Sequence, residues 1–227
     1  MKIITIIPAR SGSKSIPKKN IQLLAGKPLL AHSIEYSLRS KIVSRTIVST
    51  DSEDIANLAV NFGADVPFIR PCCFAEDTSV DYEFMRHALD YFEAEGEIYD
   101  AYVLLRPTSP LRPLGLIEQA ALLLEKFTEA TSIRCMAQVS EHPYRIWTGD
   151  GPVHPVLDDL YEPYNMPRQS LPKMLFQTGD LEMVRRDTLL NGSVSGGCVY
   201  PLLIDHQEMT DIDNWDDLKQ ANERLKR

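Results

Sequence analysis

The chain has 227 residues, 44% of them hydrophobic and 25% charged, enough for one domain with a sizeable buried core. Its formal net charge of -8 argues against a general nucleic-acid binder, which needs a basic face, but does not exclude a small nucleotide. Cys72, Cys73, Cys135 and Cys198 show neither C-x-x-C metal spacing nor a disulfide framework, so free thiols in a reducing compartment are expected.

Residues 3–7 form an apolar run that predicts a first strand, and Leu29, Leu30, Ser33, Ile34 and Leu38 follow at helical spacing. A short strand is expected over 46–49, then a helix through Ile55, Leu58 and Ala59 capped by Asp51 or Ser52. A further strand is expected over 66–69, a helix over 82–92, a fully buried strand over 101–105, an amphipathic helix over 116–127 and a strand over 132–139. Residues 141–173 break this rhythm with Pro143, Pro152, Pro155, Pro163, Pro167 and Pro172, and read as a β-hairpin or an arm reaching a neighbour. Strand patterning resumes at 181–184 and 197–201, and Asp213-Asn214 caps a closing helix through Trp215, Leu218, Ala221 and Leu225. The alternation predicts an α/β fold, a mostly parallel sheet with helices on both faces, in one domain over 1–227. No apolar run approaches membrane-spanning length and residues 1–8 are too short for a signal h-region, so a cytoplasmic location and no membrane partner are expected.

Ligands of open α/β sheets sit at the carboxyl ends of the strands, and three distinctive clusters fall there. The first strand runs into Pro8-Ala9-Arg10-Ser11-Gly12-Ser13-Lys14-Ser15-Ile16-Pro17-Lys18-Lys19-Asn20. Small residues there let backbone N–H groups approach a polyphosphate while Arg and Lys supply positive charge. Neither G-x-x-x-x-G-K-[ST] nor G-x-G-x-x-G is present, and a solvated basic turn is the plainer alternative. Arg106-Pro107-Thr108-Ser109-Pro110-Leu111-Arg112 follows the buried strand, and its hydroxyls can bond a ligand or serve a structural turn. Asp211-Ile212-Asp213 places two carboxylates on one side of an extended segment, a pattern that suits Mg²⁺ unless Asp213 only caps the helix. No Ser/His/Asp arrangement supports a hydrolase, and His142 reads as a loop residue.

The first loop resembles the A-R-x-G-S-K-x-I-x-x-K-N signature of the acylneuraminate cytidylyltransferases, which activate sialic and related nonulosonic acids. Arg106–Arg112 resembles that family's Q-P-T-S-P-L-R, Arg70 with Asp77-Thr78-Ser79 its R-P…D-x-S segment, Arg168-Gln169 its R-Q segment and Asp211–Asp213 its D-I-D segment. The resemblance spans the chain from first strand to last helix. It implies a nucleotide-diphospho-sugar transferase (Rossmann-like) fold with a dimerisation arm at about 141–173, and hence a homodimer. It also implies Mg²⁺-dependent transfer of CMP from CTP to an acidic 2-keto sugar with release of pyrophosphate. On this reading Arg10, Lys19 and the Ser11, Gly12 and Ser13 backbone hold the triphosphate. Asn20, Arg70 and Ser79 position cytidine, and Asp211 and Asp213 hold Mg²⁺. Arg106, Thr108, Ser109 and Gln169 face the acceptor, and Arg168 lies near the reacting phosphates in its own or the partner subunit.

Two departures bear on the acceptor. Arg106 stands where the family usually has Gln, and Gln177-Thr178-Gly179-Asp180 where many relatives have an N-G-A-type turn. Arg106 is expected either to grip an anionic substituent of the sugar or to turn away toward Glu76 or Asp77. The rival functions are a same-fold nucleotidyltransferase acting on a phosphorylated acceptor and a non-catalytic nucleotide-binding protein.

Overall fold

The computed structural model describes residues 1–225. Six strands form the main sheet: β1 (Ile3–Pro8), β2 (Val43–Ser49), β3 (Ala101–Leu104), β4 (Ser132–Gln138), β5 (Leu175–Arg185) and β6 (Val199–Leu203). Their spatial order is β6-β4-β5-β3-β1-β2. β1 pairs in parallel with β2 and β3, and β6 in parallel with β4, whereas β5 runs antiparallel between β3 and β4. The sheet is therefore mostly parallel, as the alternating pattern requires. Pro201 lies in edge strand β6, where a missing N–H is tolerated.

The helices are α1 (Leu29–Arg39), α2 (Glu53–Asn61), α3 (Asp81–Ala94), α4 (Leu116–Lys126), α5 (Arg186–Leu190) and α6 (Trp215–Arg224). Alternation within β1 splits the core in two: Ile3 and Ile7 pack with residues of α1, α2 and α4, while Ile4 and Ile6 pack with α3 and α5. Helices thus cover both faces. A third cluster of Ile16, Leu24, Leu29, Ile212, Leu218 and Ala221 pins the first loop and α6 together.

The strand expected over 66–69 does not form. Asp65 alone bridges Ile47, and Pro67, which lacks an N–H, ends the pairing. Ser52, not Asp51, caps α2 by accepting from the Ile55 N–H. The stretch 141–173 leaves the sheet as short 3₁₀ turns and one small hairpin, Trp147–Thr148 against His154–Pro155. His142 is a buried loop residue there, stacked on Tyr144 with its Nε2 against the Pro172 carbonyl at 2.9 Å.

Candidate functional site

A cleft of about 310 Å³ opens at the carboxyl ends of β1, β2 and β3, lined among others by Arg10, Ser13, Lys19, Asn20, Arg70, Ser79, Arg106 and Thr108. Its floor is the first loop, which is tied down at several points. The Ala9 N–H donates to the Ser49 carbonyl at 3.0 Å, extending the β1–β2 register past the strand. Asp51 accepts from the Ser11 N–H at 2.7 Å and from its hydroxyl at 2.6 Å. Ile16 is fully buried, and Asn20 Nδ2 donates to the Arg10 carbonyl at 2.9 Å. Lys18 takes the left-handed region at φ 52°, a costly turn for a side-chain-bearing residue, immediately before Lys19. This is a built loop rather than a solvated basic turn.

Its cations face a second loop. Arg10 donates to the Glu76 carbonyl at 2.8 Å and pairs with Asp77 at 3.0 Å, while Lys14 pairs with Asp77 at 2.5 Å. Lys14, then Arg10, holds the Asp77 carboxyl below its ordinary range. These pairs are exposed, and exposed pairs are weak, so a polyphosphate can take over both cations at little cost.

Arg70 is 3% exposed and has its donors committed: to the Ser49 hydroxyl at 3.0 Å, to the Ser49 carbonyl and to the Phe74 carbonyl at 3.3 Å. Its guanidinium lies 4.8 Å from the Phe84 ring centroid, and burial lowers its pKa to about 10. Arg70 therefore shapes the wall at 71–74. Ser79 acts likewise, donating to the Cys73 carbonyl at 3.1 Å and accepting from the Glu76 N–H at 3.1 Å.

Arg106 pairs with neither Glu76 nor Asp77. It bridges Asp81, at the start of α3, and Glu182 on β5. Glu182 is 3% exposed and also bonds Arg134 at 2.7 Å and Gln177 at 2.9 Å. Burial would depress the Arg106 pKa, but Glu182 and Asp81 outweigh it and raise it. The guanidinium fork expected to hold the acceptor is already satisfied by two carboxylates.

The segment 211–213 seats against the turn after β3. The Ile212 N–H donates to the Thr108 carbonyl at 2.8 Å, which sets Asp211 beside Thr108. Lys19, with its side chain only 12% exposed, donates to the Ile212 carbonyl at 2.9 Å and to Asp213 at 3.1 Å. Asn214 rather than Asp213 caps α6, accepting from the Asp216 and Asp217 N–H groups. Asp211 sits at the accessible rim, yet the protein around it and then the Asp213 charge push its pKa up. Among the described residues no three His, Cys, Asp or Glu side chains converge. Two carboxylates beside a cationic loop fit Mg²⁺, which takes oxygen donors and completes its shell with water and phosphate.

The cleft thus brings together Arg10, Ser13, Lys19, Asn20, Arg70, Ser79, Arg106 and Thr108, with Asp211 and Asp213 attached through Thr108 and Lys19. Ser11 is held by Asp51, and Gly12 lies between it and Ser13. Ser109 is buried beneath the turn with its hydroxyl unpartnered. Arg168 and Gln169 are not in this cleft. Arg168 donates to the Val139 carbonyl at 2.8 Å and borders a second cavity with Gln138, Ser140, Asp205 and His206, and Gln169 is exposed. Asp51, Asp81 and Glu182 join the site without having been expected there, whereas Asp180 belongs to the 177–180 turn already singled out for the acceptor. Asp51 was findable, since it lies just past the carboxyl end of β2.

A family model described as cytidylyltransferase matches residues 4–143. The chain belongs to the cytidylyltransferase family. It is 31% identical over 227 residues to post-translational flagellin modification protein B of Campylobacter coli, covering 96% of this chain and 92% of that one. It is 45% identical over 120 residues to the CMP-N,N'-diacetyllegionaminic acid synthase of Legionella pneumophila, covering 53% of this chain and 52% of that protein. A pseudaminic acid cytidylyltransferase of Campylobacter jejuni is 39% identical over 132 residues, covering 58% and 56%. The matched part thus spans about half the length of these last two relatives. The fold matches a CMP:2-keto-3-deoxy-manno-octonic acid synthetase solved with CTP, at TM-score 0.75, 18% identity and coverage of 100% and 99%. It also matches a 4-diphosphocytidyl-2C-methyl-D-erythritol synthase from Anaerococcus prevotii at TM-score 0.68, 14% identity and coverage of 100% and 99%.

Proposed function

We propose that this cytidylyltransferase-family chain transfers CMP from CTP to the anomeric hydroxyl of an acidic 2-keto sugar of the nonulosonic type. The observation that carries this reading is the tied-down first loop lining one cleft with Lys19, whose ammonium binds the Ile212 carbonyl and Asp213 beside it. The named activities of the Legionella and Campylobacter jejuni relatives support the choice of acceptor.

The sugar oxygen forms a bond to the α-phosphorus, the bond from that phosphorus to the bridging oxygen breaks, and pyrophosphate leaves while the hydroxyl proton passes to solvent. Negative charge gathers on the departing group, so fixed cations matter most. Arg10 and Lys14 exchange Asp77 for phosphate oxygens, and the backbone of Ser11, Gly12 and Ser13 follows the phosphates. Asn20, Arg70 and Ser79 hold the wall and floor on which the cytidine rests. Asp211 and Asp213 would hold Mg²⁺, which when bound would supply charge neutralisation. Lys19 anchors that segment and offers its charge to the reacting phosphates.

The arm supports a homodimer. It exposes Trp147, Val153, Val156 and Tyr161, the last at 90%, an apolar surface that is costly for a monomer. Among the described residues no helix is long and apolar enough to cross a membrane. A pyrophosphate-release screen over four nucleoside triphosphates, with acidic 2-keto sugars set against sugar 1-phosphates, tests the activity. Release that needs both CTP and a 2-keto acid supports it, and release only with a phosphorylated acceptor or only with another nucleotide overturns it.

A further inference from the structure

Strand β5 runs unbroken from Leu175 to Arg185 but shifts its register against β4. Arg134 pairs with Glu182 and Met136 with Gln177, so residues 178–181 bulge opposite Cys135. Gly179 makes this possible at φ +79°, a conformation that side-chain-bearing residues rarely adopt. The bulge presents Asp180, which is 1% exposed and has no hydrogen-bond partner on either carboxylate oxygen. Two unpartnered acceptors at that depth are expensive and call for a reason.

The surroundings supply one. The Ser109 hydroxyl, also buried and unpartnered, lies 3.6 Å from where a Cβ on Gly179 would be. Ser109 adjoins Thr108, whose carbonyl takes the Ile212 N–H at 2.8 Å. Arg112 clamps the layers by donating to the Asp180 carbonyl at 2.5 Å, to the Ser33 hydroxyl at 2.9 Å and to the Arg106 carbonyl. The 108–109 turn therefore joins the 211–213 segment to the β5 bulge, and two orphaned oxygen groups lie on its bulge side. Burial raises the Asp180 pKa, as does the charge of Asp211, whereas Thr178 and Arg112 lower it.

We propose that Asp180, with Ser109, forms an outer layer of the divalent-cation site, accepting hydrogen bonds from the cation's waters rather than touching the cation. This rests on the reading of Asp211 and Asp213 as its direct ligands. Direct coordination by Asp180 does not fit, because among the described residues no three acidic, His or Cys side chains converge. Outer carboxylates orient what the inner ones bind, so Asp180 is a positioning residue. The rival is that Asp180 merely offsets the buried Arg112 charge.

Mn²⁺ titration followed by electron paramagnetic resonance, on the full chain without nucleotide, separates these. Asp180→Asn keeps the shape and is expected to weaken Mn²⁺ binding about 10–100-fold. Ser109→Ala is expected to weaken it about fivefold, and Asp211→Asn to abolish it. Circular dichroism checks that each variant is folded. If Asp180→Asn unfolds, the Ser109→Ala titration decides, since unchanged affinity there overturns the outer layer. Unchanged affinity in a folded Asp180→Asn, with binding lost in Asp211→Asn, overturns the proposal and leaves the Asp211–Asp213 reading standing. Unchanged affinity in Asp211→Asn, or no saturable Mn²⁺ binding by the wild-type chain, overturns both.

Discussion

Replacing Arg106 by Gln should reveal a stability network before it reveals a substrate contact. The Arg106 side chain is 24% exposed and joins Asp81, at 37%, to Glu182, at 3%. The Asp81 half is solvated enough to be worth no more than about 1 kcal/mol. The Glu182 half is buried, and stranding a buried charge costs about 3–5 kcal/mol. Glu182 keeps Arg134 at 2.7 Å and Gln177 at 2.9 Å, however, so only part of that cost is incurred. Arg106→Gln should therefore destabilise by about 2–3 kcal/mol, lowering Tm by about 4–12 °C in a chain of this size. Glu182→Gln should cost a similar amount, because it leaves Arg106 and Arg134 facing each other. In the double variant the two amides can bond one another, so the effects should fall short of additivity by about 1.5–3 kcal/mol. Urea unfolding of the four proteins measures this. Additivity within about 0.5 kcal/mol would refute the bridge and return Arg106 to the acceptor.

Lys19→Ala should lower kcat by about 10²–10³ with little change in the KM for CTP, as measured by pyrophosphate release; normal turnover would remove Lys19 from the site. Asp211→Ala and Asp213→Ala should each lose the response of the rate to Mg²⁺ while keeping the far-ultraviolet circular dichroism of the wild type, and full response in both would make the carboxylates bystanders. Burial, and then Arg70, hold the His87 pKa below its ordinary value, so the unfolded chain takes up a proton that the native one refuses. His87 thus contributes stability that is intact above about pH 6.5 and is lost as pH falls toward its folded pKa. Urea unfolding of His87→Gln between pH 7 and pH 5 should show a shallower decline than wild type, and parallel curves would refute the assignment. Light scattering at assay concentration should give twice the mass of the chain, and a stable, active monomer would end the role given to the arm.

What was legible in the sequence were features carried by short stretches. The run before Pro8, the basic loop, the buried strand β3 and the D-I-D pair each announce themselves within about ten residues; the first three lead into the cleft, and the pair is tied to it by Lys19 and Thr108. The partners of Arg106 were not legible, because Asp81 lies 25 residues upstream and Glu182 76 residues downstream. Only the antiparallel insertion of β5 between β3 and β4 brings Glu182 across. The bulge that carries the buried Asp180 depends on Gly179 and on the register with β4, and strand alternation alone would have put Asp180 and Glu182 on one face. The apolar run 66–69 misled for a local reason, since hydrophobicity marks burial but Pro67 denies the backbone its ladder.

The most direct measurement is formation of the CMP-sugar itself. The purified chain is incubated with CTP, Mg²⁺ and an acidic 2-keto sugar, and the products are resolved by mass. The account predicts one CMP-sugar per pyrophosphate released, with the rate in Lys19→Ala reduced by about 10²–10³. Pyrophosphate without any CMP-sugar, or a nucleotide-linked product only from a phosphorylated acceptor, would contradict it.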